Sequence, residues 1–177
     1  MRNLIFSALF VALIAIGAFI RIPLPYIPFT LQTLFVILAG LLLGSKGSFI
    51  TVCCYLLLGL VGIPIFAQGG GLSYIFKPSF GYLIGFAFGS ALSGFLSRGK
   101  EPGIKKLMVA NFSGMLVIYA FGLVYFYLIT LLYLKQPIAL GALLVHGFLL
   151  TIPSDILVCI IAAFLGKRLI PLYRKWN

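Results

Sequence analysis

The sequence predicts an all-α integral membrane protein with six transmembrane helices and both termini in the cytoplasm. Three observations carry this reading. Hydrophobic residues make up 63% of the 177 and charged residues only 8%. Apolar runs of roughly 20 residues, the length that crosses a hydrocarbon core about 30 Å thick, recur along the chain. The basic residues are distributed unevenly between the two sets of connecting loops, as the positive-inside rule requires of a polytopic protein.

The six spans fall near 4–20, 31–45, 48–66, 80–97, 107–133 and 138–167. With the N-terminus inside, Arg2, Lys46, Arg98, Lys100, Lys105, Lys106, Lys167, Arg168, Arg174 and Lys175 lie on the cytoplasmic side. Only Arg21, Lys77 and Lys135 lie outside, which accounts for all thirteen Lys and Arg. The net charge of +11 is therefore a statement about loops and orientation rather than about nucleic acid. The first run, opened by Arg2, also has the form of a signal peptide with small residues at Ala15 and Ala18, but five further spans and a self-consistent charge count favour a helix that stays.

The first span carries Ala8 and Ala12 at a spacing of four, a small-residue face against which another helix can pack closely. The segment that follows, RIPLPYIPFTLQ from Arg21 to Gln32, cannot be helical: Pro23, Pro25 and Pro28 favour an extended path, while Tyr26 and Phe29 keep it at the membrane face. A second unusual loop, Gly62 to Tyr82, contains Gly69, Gly70 and Gly71 between Pro64 and Pro78. Both loops are predicted on the outer side and are apolar enough to fold back over the bundle, although a pair of interfacial hairpins without a ligand satisfies the same composition. In the fourth span Gly81, Gly85, Gly89 and Ser93 align on one face, which serves close packing inside the bundle. With no inverted repeat and no low-complexity linker, residues 1–177 read as a single transmembrane helical domain.

Several chemistries are excluded. There is no Walker A sequence, so the chain is not itself an ATPase, and the triple glycine lacks the spacing of a dinucleotide fingerprint. Glu101, in a basic loop, and Asp155 are the only acids, too few for paired-carboxylate catalysis or a carboxylate-bound metal. Cys53, Cys54 and Cys159 lie in apolar spans at spacings that match no zinc or redox motif, and they read as packing residues. A serine protease dyad would have to pair Ser93 or Ser113 with His146, the single histidine, without a Gly-x-Ser-Gly motif. The expectation is a protein that is not an enzyme, with no cofactor and no metal.

Asp155 remains. A carboxylate at bilayer depth costs about 3 kcal/mol on insertion scales, so it faces the bundle interior and marks a ligand or ion path. The outer loops supply Gln32, Gln68, Tyr74, Lys77 and Tyr82 among Phe29, Phe66, Phe76 and Phe80, and an apolar cavity with a few placed polar groups is the usual form of a small-molecule site. Lys77, the one charged residue of its loop, is placed to neutralise Asp155 or to hold an anionic ligand.

These segments resemble the BioY family, the biotin-binding S components of energy-coupling factor (ECF) vitamin transporters. The resemblance rests on Pro28-Phe29-Thr30-Leu31-Gln32, on Gly62-Ile63-Pro64-Ile65-Phe66-Ala67 leading into Gly69-Gly70-Gly71, on Pro78-Ser79-Phe80-Gly81-Tyr82-Leu83-Ile84-Gly85-Phe86, and on Pro153-Ser154-Asp155. It covers essentially the whole chain and implies a six-helix S-component bundle whose outward pocket is capped by the loops after spans one, three and five. It implies biotin as the transported ligand, with Asp155, Lys77, Gln32, Gln68, Tyr82, Tyr74, Phe29 and Phe66 around it. It also implies a coupling subunit in the membrane and two ATPase subunits, the coupling subunit docking on Ala8 and Ala12.

Two departures stand out. Family members often read Gly-Pro-Thr-Gly-Gly-Tyr where this chain has Lys77-Pro78-Ser79-Phe80-Gly81-Tyr82, and they often carry a lysine three residues after the aspartate, where this chain has Val158. The sequence therefore suggests that Lys77 reaches Asp155 from the opposite loop. Biotin suits such a site, since its ureido ring offers two N–H donors and a carbonyl to carboxylate and amide groups, its thioether and alkyl parts suit Phe and Leu walls, and its carboxylate calls for a lysine or loop N–H at the mouth. An S component for another vitamin and a stand-alone proton-coupled carrier, which Asp155 would also serve, are the rival readings.

Overall fold

In the computed structural model the described residues are 2–24, 26–99, 102–135 and 138–175. Pro25, Lys100 and Glu101 lie outside them, as do the side chains of Arg2 and Arg174. Helix α1 (Arg2–Phe19) ends where the proline-rich segment begins. That segment is extended, as its prolines require, and forms a small antiparallel hairpin of β1 (Arg21–Ile22) and β2 (Phe29–Thr30), with Arg21 opposite Thr30 and Ile22 opposite Phe29. Tyr26, at the tip, has φ 64°, a left-handed conformation uncommon outside glycine.

Helix α2 (Gln32–Leu60) joins two of the expected spans. It is interrupted at Gly44, whose φ of 73° and ψ of −179° are accessible to glycine and strained for other residues. The interruption is a reversal of direction: the Gln32 amide donates to the Tyr55 hydroxyl at 2.6 Å, whereas a straight helix would hold these residues about 35 Å apart. The arms 32–43 and 45–60 therefore run back alongside each other. Ser48 donates to the carbonyls of Gly44 and Ser45 at 2.8 and 3.2 Å, occupying acceptors near the break.

Helix α3 (Phe80–Leu96) packs between α2 and α4 (Ile104–Leu128). Its aligned glycines explain the close approach. A Cβ on Gly85 would stand 2.8 Å from the Ile118 Cα and carbonyl oxygen, and one on Gly81 would run into Tyr125. Ser93 closes the same seam by donating to the Ala110 carbonyl at 2.9 Å. The α4 helix continues as a π-helical turn, Ile129–Tyr133. The last apolar run is not one uniform helix: α5 (Leu140–Leu144) passes into a second π-helical turn, Val145–Leu149, and only after Thr151 does α6 (Ile152–Lys175) begin. Helix α6 packs on α2 and α4, and buried residues of α1, α2, α3, α4 and α6 form one continuous apolar cluster.

The bundle has two chemically different ends. At one lie Gly44, the Arg98 turn and both ends of the chain, the latter brought together by Phe6 and Tyr173, whose rings meet at 4.8 Å. At the other lie the β1–β2 hairpin, the glycine-rich loop and the two π-helical turns. Among the described residues three helical segments are long and apolar enough to cross a membrane, Gln32–Leu60, Ile104–Tyr133 and Leu140–Tyr173, with shorter apolar helices at Asn3–Phe19 and Phe80–Leu96.

Candidate functional site

Asp155 sits in the first turn of α6, where its carboxylate also benefits from the positive end of the helix dipole. It is 7% exposed. From α4, the Tyr119 hydroxyl donates to its Oδ2 at 2.5 Å, and the Thr151 Oγ1 lies 2.7 Å from the Tyr119 oxygen. With the Tyr119 proton committed to Asp155, Thr151 is the donor in that second contact. The other carboxylate oxygen, Oδ1, has no hydrogen-bond partner among the described residues. A buried carboxylate oxygen left unpaired is costly, so the carboxylate is set up for a donor that arrives from elsewhere.

It lies in the wall of a narrow cavity of about 50 Å³, lined by Ile27, Pro28, Phe29, Thr30 and Thr33 on one side and by Tyr82, Phe86, Met115, Ile118, Tyr119 and Thr151 on the others. An adjoining cavity of about 40 Å³ shares Ile27, Pro28, Thr30, Tyr82 and Phe86 and adds Gln32, Ala67, Tyr74, Ser79 and Leu83. Both are well below the roughly 300–1,000 Å³ of small-molecule sites, so side chains or the hairpin must shift to admit a ligand. The surfaces are apolar with a few hydroxyls and amides. Ile27 and Pro28, held by the proline-rich hairpin, border both spaces.

The fixed polar groups can be traced. Gln32 is buried and fully engaged: its amide donates to Tyr55, and its carbonyl accepts from Thr30 at 3.1 Å. Tyr55 in turn donates to the Ile65 carbonyl at 2.8 Å, which ties the glycine-rich loop to α2. Tyr82 donates to the Gly147 carbonyl at 2.6 Å, in the π-helical turn that precedes α6. At the far side of the second cavity the Ser79 hydroxyl is buried without a partner among the described residues.

The expected site residues separate into two groups. Asp155, Tyr82 and Phe29 border the first cavity; Gln32, Tyr74 and again Tyr82 border the second. Phe66 is buried one layer back, its ring against Tyr55 at 5.4 Å and Tyr74 at 4.6 Å. Gln68 is exposed and contributes its backbone. Lys77 donates to the Gln68 carbonyl at 2.9 Å and stands 4.8 Å over the Tyr74 ring. The expected approach of Lys77 to Asp155 is thus replaced by loop contacts, because its ammonium finds a carbonyl and an aromatic face closer to its own backbone. Partial burial and the neighbouring Arg21, whose guanidinium donates to the Ala67 carbonyl, lower the Lys77 pKa from its ordinary value. Ala8 and Ala12 are exposed, on an apolar groove between α1 and the second arm of α2 that also includes Leu4, Cys54 and Leu58.

Tyr119, Thr151, Thr33 and Met115 escaped the sequence reading. They lie in apolar stretches with no motif, and Tyr119 is one of several tyrosines in α4; its proximity to Asp155 exists only once α4 and α6 pack. Thr30 and Pro28 lay inside a recognised segment but carried no individual assignment. His146 faces Tyr26 at 5.4 Å between ring centres, and its buried Nδ1 has no hydrogen-bond partner among the described residues. Among the described residues no cluster of His, Cys, Asp and Glu could hold a metal ion.

Known proteins resemble this chain along nearly its whole length. A family model described as the BioY family matches residues 1–175. A probable biotin transporter BioY of Lysinibacillus sphaericus is 42% identical over 98% of this chain and 89% of its own length. The biotin transporter BioY of Thermotoga maritima is 42% identical over 69% of this chain and 72% of its own. Among solved structures, the S-component for biotin from an ECF-type ABC transporter superposes with a TM-score of 0.78 at 28% identity, covering 95% of this chain and 90% of that one. An unpaired buried carboxylate in a mixed cavity, a bundle of this topology and a sequence match along nearly its full length lead to one conclusion: the chain belongs to the BioY family.

Proposed function

We propose that the protein binds biotin and takes it up across the cytoplasmic membrane as the substrate-specific S component of an ECF-type ABC transporter. The observation that carries this is the free Oδ1 of Asp155, an acceptor facing a cavity whose other walls suit a thioether ring and an alkyl chain. A ureido N–H is the donor it lacks. Asp155 is the primary recognition group, oriented by Tyr119, with Thr33 and Tyr82 beside it and Phe29 against the apolar part. Gln32, Tyr74 and Ser79 serve the adjoining cavity, and Lys77, with Phe66 and the Gln68 backbone, shapes the loop over it.

In this reading residues 1–177 form one substrate-binding domain of six spans: α1, the two arms of α2, α3, α4, and the α5–α6 run. The end bearing Lys46, Arg98, Lys105, Lys106, Lys167, Arg168 and Lys175 faces the cytoplasm, together with both termini, and the hairpin and glycine-rich loop face outward. The charge count and the reversal at Gly44 support this topology. A multi-pass protein of the plasma membrane with no nucleotide-binding sequence draws its energy from partners, here a transmembrane coupling subunit and two ATPase subunits. The exposed groove at Ala8 and Ala12 is the docking face for the coupling subunit.

Calorimetric titration of the purified protein with a panel of vitamins tests the ligand. Saturable binding of biotin, with none of the other vitamins, is the expected result; selective binding of a different vitamin would assign the site to that ligand. Reconstituted uptake driven by a proton gradient without ATPase partners would instead favour a stand-alone carrier.

A further inference from the structure

We infer that the Asp155 end of the cavity accepts a cyclic guanidinium as readily as a neutral cyclic urea, so that the site selects on hydrogen-bond donors and tolerates positive charge. The inference rests on the biotin reading for the shape of the ligand, but its basis is the charge of the site itself.

Among the described residues Asp155 is the sole charged one bordering either cavity. Its neighbours there are neutral hydroxyls: Tyr119 donates to Oδ2, Thr151 is drawn to Tyr119 and the Phe148 carbonyl, Tyr82 donates to Gly147, and Thr33 stands beside the carboxylate as a donor that brings no charge. The basic groups at this end of the bundle are engaged elsewhere or exposed. Arg21 is held by the Ala67 carbonyl and Lys77 by the Gln68 carbonyl and the Tyr74 ring, while Lys135 is exposed. His146 packs on Tyr26 and borders neither cavity. On α6 itself the residue one turn beyond Asp155, on the same face, is Val158, which is 4% exposed and apolar.

The carboxylate has therefore lost most of its hydration without gaining a cation. A neutral urea supplies N–H donors to Oδ1 but leaves the charge uncompensated. A ring of the same size and shape in which the carbonyl is replaced by C=NH₂⁺ supplies the same donors and the missing charge. The ligand pays its own desolvation, but that of Asp155 has already been met on folding, so the pairing is more favourable than burying both ions from water. A lysine at position 158 would remove this advantage by setting a like charge against the guanidinium.

The test is a parallel titration of the purified full-length protein with biotin and with 2-iminobiotin, whose ring is a guanidinium cation at neutral pH. The parent protein is expected to bind 2-iminobiotin within about tenfold of biotin, and a preference for biotin greater than that overturns the inference. Val158→Lys is expected to shift the ratio of the two affinities toward biotin by at least about tenfold, with Val158→Met, of similar length and uncharged, leaving it within about threefold. A Val158→Lys shift no larger than that of Val158→Met also overturns it. If Val158→Lys binds neither ligand, the parent comparison decides alone. Binding of 2-iminobiotin without biotin would remove the biotin reading while sustaining the charge argument, and binding of neither would remove both.

Discussion

Tyr119 and Asp155 join α4 to α6 through a single hydrogen bond that leaves half of the carboxylate free. The bond orients the carboxylate and fixes which oxygen faces the cavity. Asp155→Asn is expected to weaken biotin binding by at least about tenfold while the protein still inserts, and Tyr119→Phe to weaken it by about tenfold, since a hydrogen bond to a charged group contributes about 1.5–3 kcal/mol. The double variant should lose less than the sum, because the two act through one carboxylate. Titration in detergent measures all three, and tight binding by Asp155→Asn would remove Asp155 from the site.

The hydroxyl of Tyr55 accepts from Gln32 and donates to Ile65, so one buried group ties both arms of α2 to the glycine-rich loop. Tyr55→Phe leaves the Gln32 amide and the Ile65 carbonyl without their partner, a cost of about 1–3 kcal/mol. A lower midpoint of thermal unfolding in detergent is expected, with faster proteolysis of the 62–79 loop. An unchanged midpoint and cleavage pattern would show that the tie is dispensable.

Gly44 and Gly85 are both glycines for different reasons. At Gly44 nothing lies within 4 Å of an added Cβ, so Gly44→Ala tests backbone strain alone, worth about 1–3 kcal/mol. At Gly85 the conformation is ordinary and the obstacle is Ile118, so Gly85→Leu should force α3 from α4 and abolish folding rather than merely lower the unfolding midpoint. Gel-filtration profiles of the two variants distinguish these outcomes.

Ala8→Trp and Ala12→Trp fill the exposed groove beside α2 without approaching the cavity. Biotin affinity is expected to stay within about twofold of the parent, whereas uptake with the coupling and ATPase subunits should fall by at least about tenfold. Full uptake by both variants would place the docking face elsewhere.

Lys77→Ala removes a loop contact rather than a partner of Asp155. Its effect on biotin affinity is expected to be smaller than that of Asp155→Asn, by about tenfold.

The parts of this protein that could be read in the sequence are those governed by local chemistry. Apolar length marked the helices, proline fixed the extended path of the hairpin, and glycine spacing in α3 marked a close helix contact without naming its partner. Asp155 stood out because charge is scarce in its surroundings. What escaped depended on the packing of distant segments. Tyr119 differs in no local respect from Tyr125, and only the α4–α6 seam makes it the neighbour of a carboxylate. The contacts of Lys77 were hidden for the same reason, since sequence showed a cation and an anion but not the Gln68 carbonyl lying closer. The π-helical turns at Ile129–Tyr133 and Val145–Leu149 interrupt runs whose composition is uniformly apolar, and no residue pattern announced them.

The cavity takes Thr30 from the hairpin, Thr33 from α2, Tyr82 from α3, Tyr119 from α4 and Asp155 from α6. Synthesis proceeds from the N-terminus, so four of these five are in place before the recognising carboxylate has been made. A nascent chain halted before α6 can have most of its helices inserted and still have no acid to meet a ligand. The cavity is thus completed only near the end of translation, once the last helix has been made and seated.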